Sequence, residues 1–166
     1  MISNPHYCYG GSMPASTTPP ERLLRNPTFV VAQLHRVGRE DLEGVLAAEG
    51  LNLRTHWILG CLEEPGELSQ KQLADVLGID RSDMVRLLDD LEERGFVART
   101  KNAKDRRKHV LSLTTAGRQV RERSDELVEK AFDQLYGNLS AKERRSLQRL
   151  VLKALGLPKK YAAPPT

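Results

Sequence analysis

Apolar residues recur along most of this chain at the spacing of one helical face. From 27 to 49, Val30, Leu34, Val37, Leu42, Val45 and Leu46 keep that period until "EGLN" breaks it. Residues 53–63 carry Trp57, Ile58, Cys61 and Leu62, a short amphipathic helix stopped by "EEPGE". "SQKQLADVLG" opens on the capping-box pair Ser69 and Gln72 and closes on Gly78. Its Leu73, Val76 and Leu77 form one apolar face. A further helix begins near Asp80, with Met84, Leu87, Leu88 and Leu91 at i, i+3, i+4 and i+7. Gly95 then supplies a left-handed cap.

After Gly95 the period changes. "FVART" and "HVLSLT" are short, apolar and β-branched, and they flank the polar "KNAKDRRK". Two such strands around a charged loop predict a β-hairpin. Thr114 opens a long helix to about residue 137, with Val120, Leu127, Val128, Ala131, Phe132 and Leu135 facing inward. Ser140 and Glu143 mark a second capping box. It starts a final helix to about residue 155, with Leu147, Leu150, Val151, Ala154 and Leu155 apolar. The fold class is therefore mainly α with a small β-hairpin wing. Residues 1–25, rich in Pro, Gly, Ser and Thr, read as a flexible arm, and residues 158–166 as a tail.

A short helix, a tight turn, a second helix and a basic hairpin describe a winged helix-turn-helix. The second helix fits the major groove of B-DNA, and its exposed face reads base edges. The stripe of Met84, Leu87, Leu88 and Leu91 leaves Arg81, Ser82, Val85, Arg86 and Asp89 facing outward. Arg81, Ser82 and Arg86 are donors near the helix start, Val85 suits a thymine methyl, and Asp83 lies among them. Ser69, Gln70 and Lys71, opening the supporting helix, are placed at the DNA too. Asp89, Asp90, Glu92 and Glu93 make the far end acidic, so only the first two turns are expected to approach phosphates.

Charge sharpens the picture. The chain carries a net charge of +4, but residues 94–109 alone hold seven Lys or Arg against Asp105, a local +6. Basicity this concentrated is an electrostatic footprint for a polyanion. Arg99, Lys101, Lys104, Arg106, Arg107 and Lys108 are the wing's candidate DNA contacts, together with Asp105. Other chemistry is poorly supplied. No nucleophile-elbow, phosphate-loop or metal-ligand spacing appears, so neither an enzyme, a metal site nor a cofactor is expected. The N-terminus lacks a secretory signal and no apolar run is long enough for a membrane span, so the expected place is the cytoplasm. Cys8 falls in the arm, and Cys61 in an apolar helix where a buried thiol is inert.

The stretches "LADVLGIDRSDMVRLLDDLEERGFVAR" and "DRRKHVLSLTTAG" resemble the MarR family of winged-helix transcription regulators. Asp105, Arg107, Leu113, Thr114 and Gly117 fall at its characteristic spacings, and the likeness runs from about 27 to 155. The resemblance implies a domain over 26–157, with a DNA-binding lobe at about 53–114 and dimerisation helices at about 27–49 and 114–155. It implies a homodimeric repressor on a palindromic operator, with Arg107 in the minor groove and Asp105 directing that Arg or a neighbour. It also implies a small aromatic or phenolic effector, for which His35, Arg39, His56 and Trp57 are the candidates. Two alternatives stay open. One is a winged-helix protein-interaction module, favoured by the acidic end of the recognition helix. The other is a cysteine-based redox-sensing regulator.

Overall fold

A computed structural model of the chain describes residues 18–63, 68–101 and 109–158. In order these form α1 (Glu21–Leu24), α2 (Pro27–Leu46), α3 (Leu53–Glu63), α4 (Gln70–Leu77), α5 (Arg81–Glu93), β1 (Val97–Lys101), β2 (His109–Leu113), α6 (Thr115–Leu135) and α7 (Ala141–Ala154). A turn of 3-10 helix, Ala47–Glu49, prolongs α2. Among the described residues the fold is the expected mainly helical one with a single antiparallel hairpin, a winged helix. The chain divides into two compact units, Leu34–Ala131 and the residues to either side, with the divisions falling inside α2 and α6.

The larger unit holds the core. Met84, Leu87, Leu88 and Leu91 of α5 are all buried, as their spacing requires. They join Leu42 and Leu46 of α2, Ile58 and Leu59 of α3, Leu73 of α4, and Val120 and Val128 of α6. Val97, Leu111 and Leu113 add the inward face of the hairpin, in which Val97 pairs with Leu113 and Arg99 with Leu111. Local chemistry sets the boundaries. Ser69 and Gln72 close a complete capping box on α4, and Asp80 caps α5 by accepting from the Ser82 N–H. Gly95 turns the chain into the wing at φ 70°, which a residue without a Cβ adopts at little cost. The Phe96 N–H then reaches the Leu91 carbonyl at 2.9 Å.

Several expectations about faces need correction. Helix α3 is not simply amphipathic: Leu53, Thr55, His56, Ile58 and Leu59 are buried around much of its girth, because it packs along β2 and α4. Trp57 is instead 41% exposed. In α4 the buried positions are Leu73 and Ala74, and Val76 is 67% exposed. Phe132, expected inside, is also exposed.

In the other unit, residues 21–24 form one helical turn inside the stretch read as an arm, and residues 1–17 lie outside the described residues. Ser140 and Glu143 form the expected capping box of α7. Arg144 pins its start to Asp133 at 2.6 Å and to the Tyr136 carbonyl at 3.1 Å. Helix α7 buries no residue; Leu150 and Val151 of its apolar face, and Leu155 at its C-cap, are exposed.

Candidate nucleic-acid interface and the adjoining cleft

The first two turns of α5 present the expected side chains. Arg81, Ser82, Val85 and Arg86 are exposed on the face opposite the buried stripe. Two of the group are less free than their composition suggested. The Ser82 hydroxyl and N–H both donate to Asp80, which holds the Asp80 carboxyl below its usual range. Asp83 accepts from Arg86 at 3.1 Å and from Arg54 at 3.0 Å, and those donors hold its carboxyl low as well. Asp83 therefore orients two cations rather than projecting alone. Arg86 nevertheless stays open, its side chain 73% exposed. On α4, Lys71 is exposed, Gln70 is half-buried, and the Ser69 hydroxyl is engaged in the capping box.

The acidic end of α5 is occupied within the lobe. Asp89 and Glu92 lie 2.6 and 2.9 Å from the Arg99 guanidinium on β1. Asp90 pairs with Arg94 at 3.4 Å. Arg94 also donates to the Gly50 carbonyl at 2.8 Å and sits 4.7 Å from the centre of the Phe96 ring. Arg99 was expected among the DNA contacts, yet its side chain is only 22% exposed. Lys104, Asp105, Arg106, Arg107 and Lys108 lie outside the described residues, as does the side chain of Lys101.

A cleft of about 510 Å³ adjoins this lobe, lined by His56, Trp57, Gly60, Cys61, Val76, Leu77 and Arg121. It unites two of the four expected effector contacts, His56 and Trp57. His35 and Arg39 are exposed on α2 and do not line it, and Arg39 lies 3.8 Å from Glu43. His56 is fixed by its neighbours. The Ser124 hydroxyl donates to the Arg121 carbonyl at 2.8 Å, so its oxygen accepts from His56 Nδ1 at 3.0 Å. Burial, and then the positive charge of Arg121, push the His56 pKa down to about 4. The ring is thus neutral near pH 7, with Nε2 unprotonated. Asp125 stands 3.7 Å from Nε2 but is itself ion-paired to Arg121.

Arg121 and Cys61 were not anticipated here. Nothing in sequence separates Arg121 from other charged positions on α6, and its role appears only when α6 meets α3. Its guanidinium lies against Gly60, where a Cβ would stand 3.3 Å from Nη2. Cys61 is half-buried on the cleft wall rather than fully buried, and it is in no disulfide among the described residues. Among the described residues no group of His, Cys, Asp and Glu could hold a metal ion, and no helix is long and apolar enough to cross a membrane.

Comparison with known proteins places this lobe. Residues 51–109 match the MarR family. The lobe belongs to the MarR family. Among solved structures, the transcriptional repressor CouR bound to a 23-mer DNA duplex is 28% identical. The match covers 83% of this chain and 98% of that one, with a TM-score of 0.77. Wild-type MarR from E. coli in its apo form is 25% identical over 78% of this chain and 97% of that one, at a TM-score of 0.70. A Cys-to-Ser variant of E. coli MarR complexed with operator DNA is 26% identical. That match covers 81% of this chain and 94% of the MarR chain, at a TM-score of 0.69. The MarR-like fold thus spans most of this chain, well beyond the matched lobe.

Proposed function

We propose that this protein is a sequence-specific DNA-binding transcription regulator, a repressor that binds a palindromic operator as a homodimer. The observation that carries the reading is α5: one face is fully buried, and Arg81, Val85 and Arg86 stand exposed on the other near the helix start. An exposed Arg bonds a guanine edge in two places, which discriminates by about 1–3 kcal/mol. The DNA-bound states of CouR and E. coli MarR support the assignment. Arg107 remains the proposed minor-groove probe, with Asp105 directing it, and the other wing cations neutralise phosphates.

The homodimer is supported by α7 and its C-cap, where Leu150, Val151 and Leu155 lack cover in a single chain. A two-fold dimer matches a palindromic site when its recognition helices stand roughly 34–36 Å apart, one turn of DNA. The cleft supports control by a small aromatic acid or phenol. Trp57 offers a flat exposed wall, Arg121 a cation and His56 Nε2 an acceptor. An effector that prefers a different helix spacing shifts the population away from the DNA-competent form.

The protein-interaction module loses its main support, because Asp89, Asp90 and Glu92 are engaged by Arg99 and Arg94. A gel shift on the DNA upstream of the protein's own gene, with scrambled competitor and a salt titration, tests the reading. A specific complex that weakens steeply with salt is expected, since phosphate contacts release counterions. If no specific complex forms even at low salt, the module reading takes its place. Replacing Arg107 with Ala is expected to weaken that complex while the dimer survives.

A further inference from the structure

We propose that Arg99 is a positioning residue, which fixes the root of the wing against the acidic end of α5 without touching DNA. The proposal rests on the DNA-binding reading and adds to it an internal device that sets the wing's aim. The hairpin alternates, so Arg99 shares a face with Val97, directly opposite Leu111. Val97 and Leu111 are buried, and Arg99 is therefore a charged residue on the inward face, turned toward α5.

What it meets there is specific. Asp89 and Glu92 are three positions apart and lie side by side on the helix surface. One nitrogen, Arg99 Nη1, serves both, at 2.6 Å to Asp89 Oδ1 and 2.9 Å to Glu92 Oε2. Nε and Nη2 are buried and have no hydrogen-bond partner among the described residues. The guanidinium thus has no accessible edge for a phosphate. A partly buried cation bridging two carboxylates resists displacement, because moving it leaves charges unpaired. The two acids of the recognition helix in turn face the strand rather than the groove. The same contacts answer why a DNA-reading helix tolerates carboxylates: they anchor the element that carries the wing.

Two variants separate this role from direct contact. Asp89→Asn with Glu92→Gln removes both negative charges of the anchor but leaves Arg99 in place and preserves side-chain shape. Simple electrostatics says that deleting two negative charges beside a polyanion tightens binding. The clamp demands the opposite sign, a loss of operator affinity on the order of tenfold, the scale of coupling between packed elements. Arg99→Ala should lose a similar factor while the slope of log K against log salt stays at the wild-type value. A slope smaller by about 0.9 per protomer, roughly 1.8 for the dimer, would make Arg99 a phosphate contact and overturn the proposal. So would unchanged or tighter binding by the Asn/Gln variant. Circular dichroism and urea titration of each variant establish that the affinities refer to folded protein. If Arg99→Ala does not fold, the isosteric Asn/Gln variant decides alone. Wild-type protein is titrated first on the same duplex. No specific wild-type complex would sink the DNA-binding reading and the clamp together, whereas a wild-type complex that both variants leave untouched sinks the clamp only.

Discussion

The carbonyl oxygen of Phe96 occupies the place where a side chain on residue 117 would begin: a Cβ on Gly117 would stand 2.0 Å from it. The same carbonyl accepts the Thr114 N–H at 3.0 Å, and the Thr114 hydroxyl accepts the Gly117 N–H at 3.0 Å. The start of α6 is thereby seated on the base of the wing. Helix propensity alone favours Ala over Gly by about 1 kcal/mol. The clash is with backbone and outweighs this, so Gly117→Ala should destabilise on the order of 3 kcal/mol. Urea denaturation of the two proteins checks it, and an equal or raised midpoint would show that the two segments can separate freely.

Arg86 is exposed but not free of partners, since Asp83 holds it at 3.1 Å. That contact presets the guanidinium without hiding it. Arg86→Ala should relax base preference at one operator position, costing about 1–3 kcal/mol there, with non-specific affinity changed far less. Competition by single-base operator variants reads this directly. A uniform loss over all sequences would instead mark Arg86 as a phosphate contact.

His56 makes stability depend on pH. In the unfolded chain it takes a proton near its ordinary pKa of 6.5, but in the folded protein only near 4. Between those values the unfolded state binds more protons, so the His56 contribution falls as pH drops from 6.5 toward 4 and is constant above. The full effect is up to about 3 kcal/mol. Denaturant titrations at several pH values in that window should show the slope, and His56→Gln should flatten it. A slope that survives the substitution assigns the effect to other groups.

Trp57 is the chain's single tryptophan and it lines the cleft. Its fluorescence therefore reports occupancy without a label. Benzoate, a minimal aromatic carboxylate, should change the emission saturably, and Arg121→Gln should weaken that response at least about tenfold, as loss of a charge-assisted contact does. Benzoate should also slow alkylation of Cys61, which shares the cleft wall. No response of Trp57 to benzoate at any concentration short of denaturation rules out this ligand class.

Leu150 and Leu155 give the dimer a direct test. Leu150 on α7 is 54% exposed, and Leu155, its C-cap, is 67% exposed. Leu150→Glu places a charge on that face and should shift the protein toward monomer in sedimentation velocity, with operator affinity falling in parallel. A variant that remains fully dimeric would put the interface elsewhere.

Much of the fold is legible without coordinates because its signals are local. The i, i+3, i+4, i+7 stripe of α5, the capping boxes at Ser69 and Ser140, and the left-handed Gly95 involve residues within a few positions of one another. Steric and hydrogen-bonding rules act at that range whatever surrounds them. Helix burial is less legible. Val76 and Trp57 are as apolar as their neighbours, and only the packing of α3 with α4 and β2 decides that both stay exposed.

Side-chain employment belongs to the tertiary structure. By composition Arg99 and Arg86 are equivalent cations beside a presumed DNA surface, yet one bridges two carboxylates on α5 and the other stays open to solvent. Arg121 is one charged residue among many until α6 brings it against Gly60 and into the cleft that His56 lines, more than sixty positions away in sequence. The chain alone determined where its helices from α2 onward start and stop, which face of α5 is buried, and where positive charge gathers. Which cations remain for a partner was decided only when distant segments met. A long charged side chain takes the nearest opposite charge that desolvation permits, and that distance does not exist until the fold does.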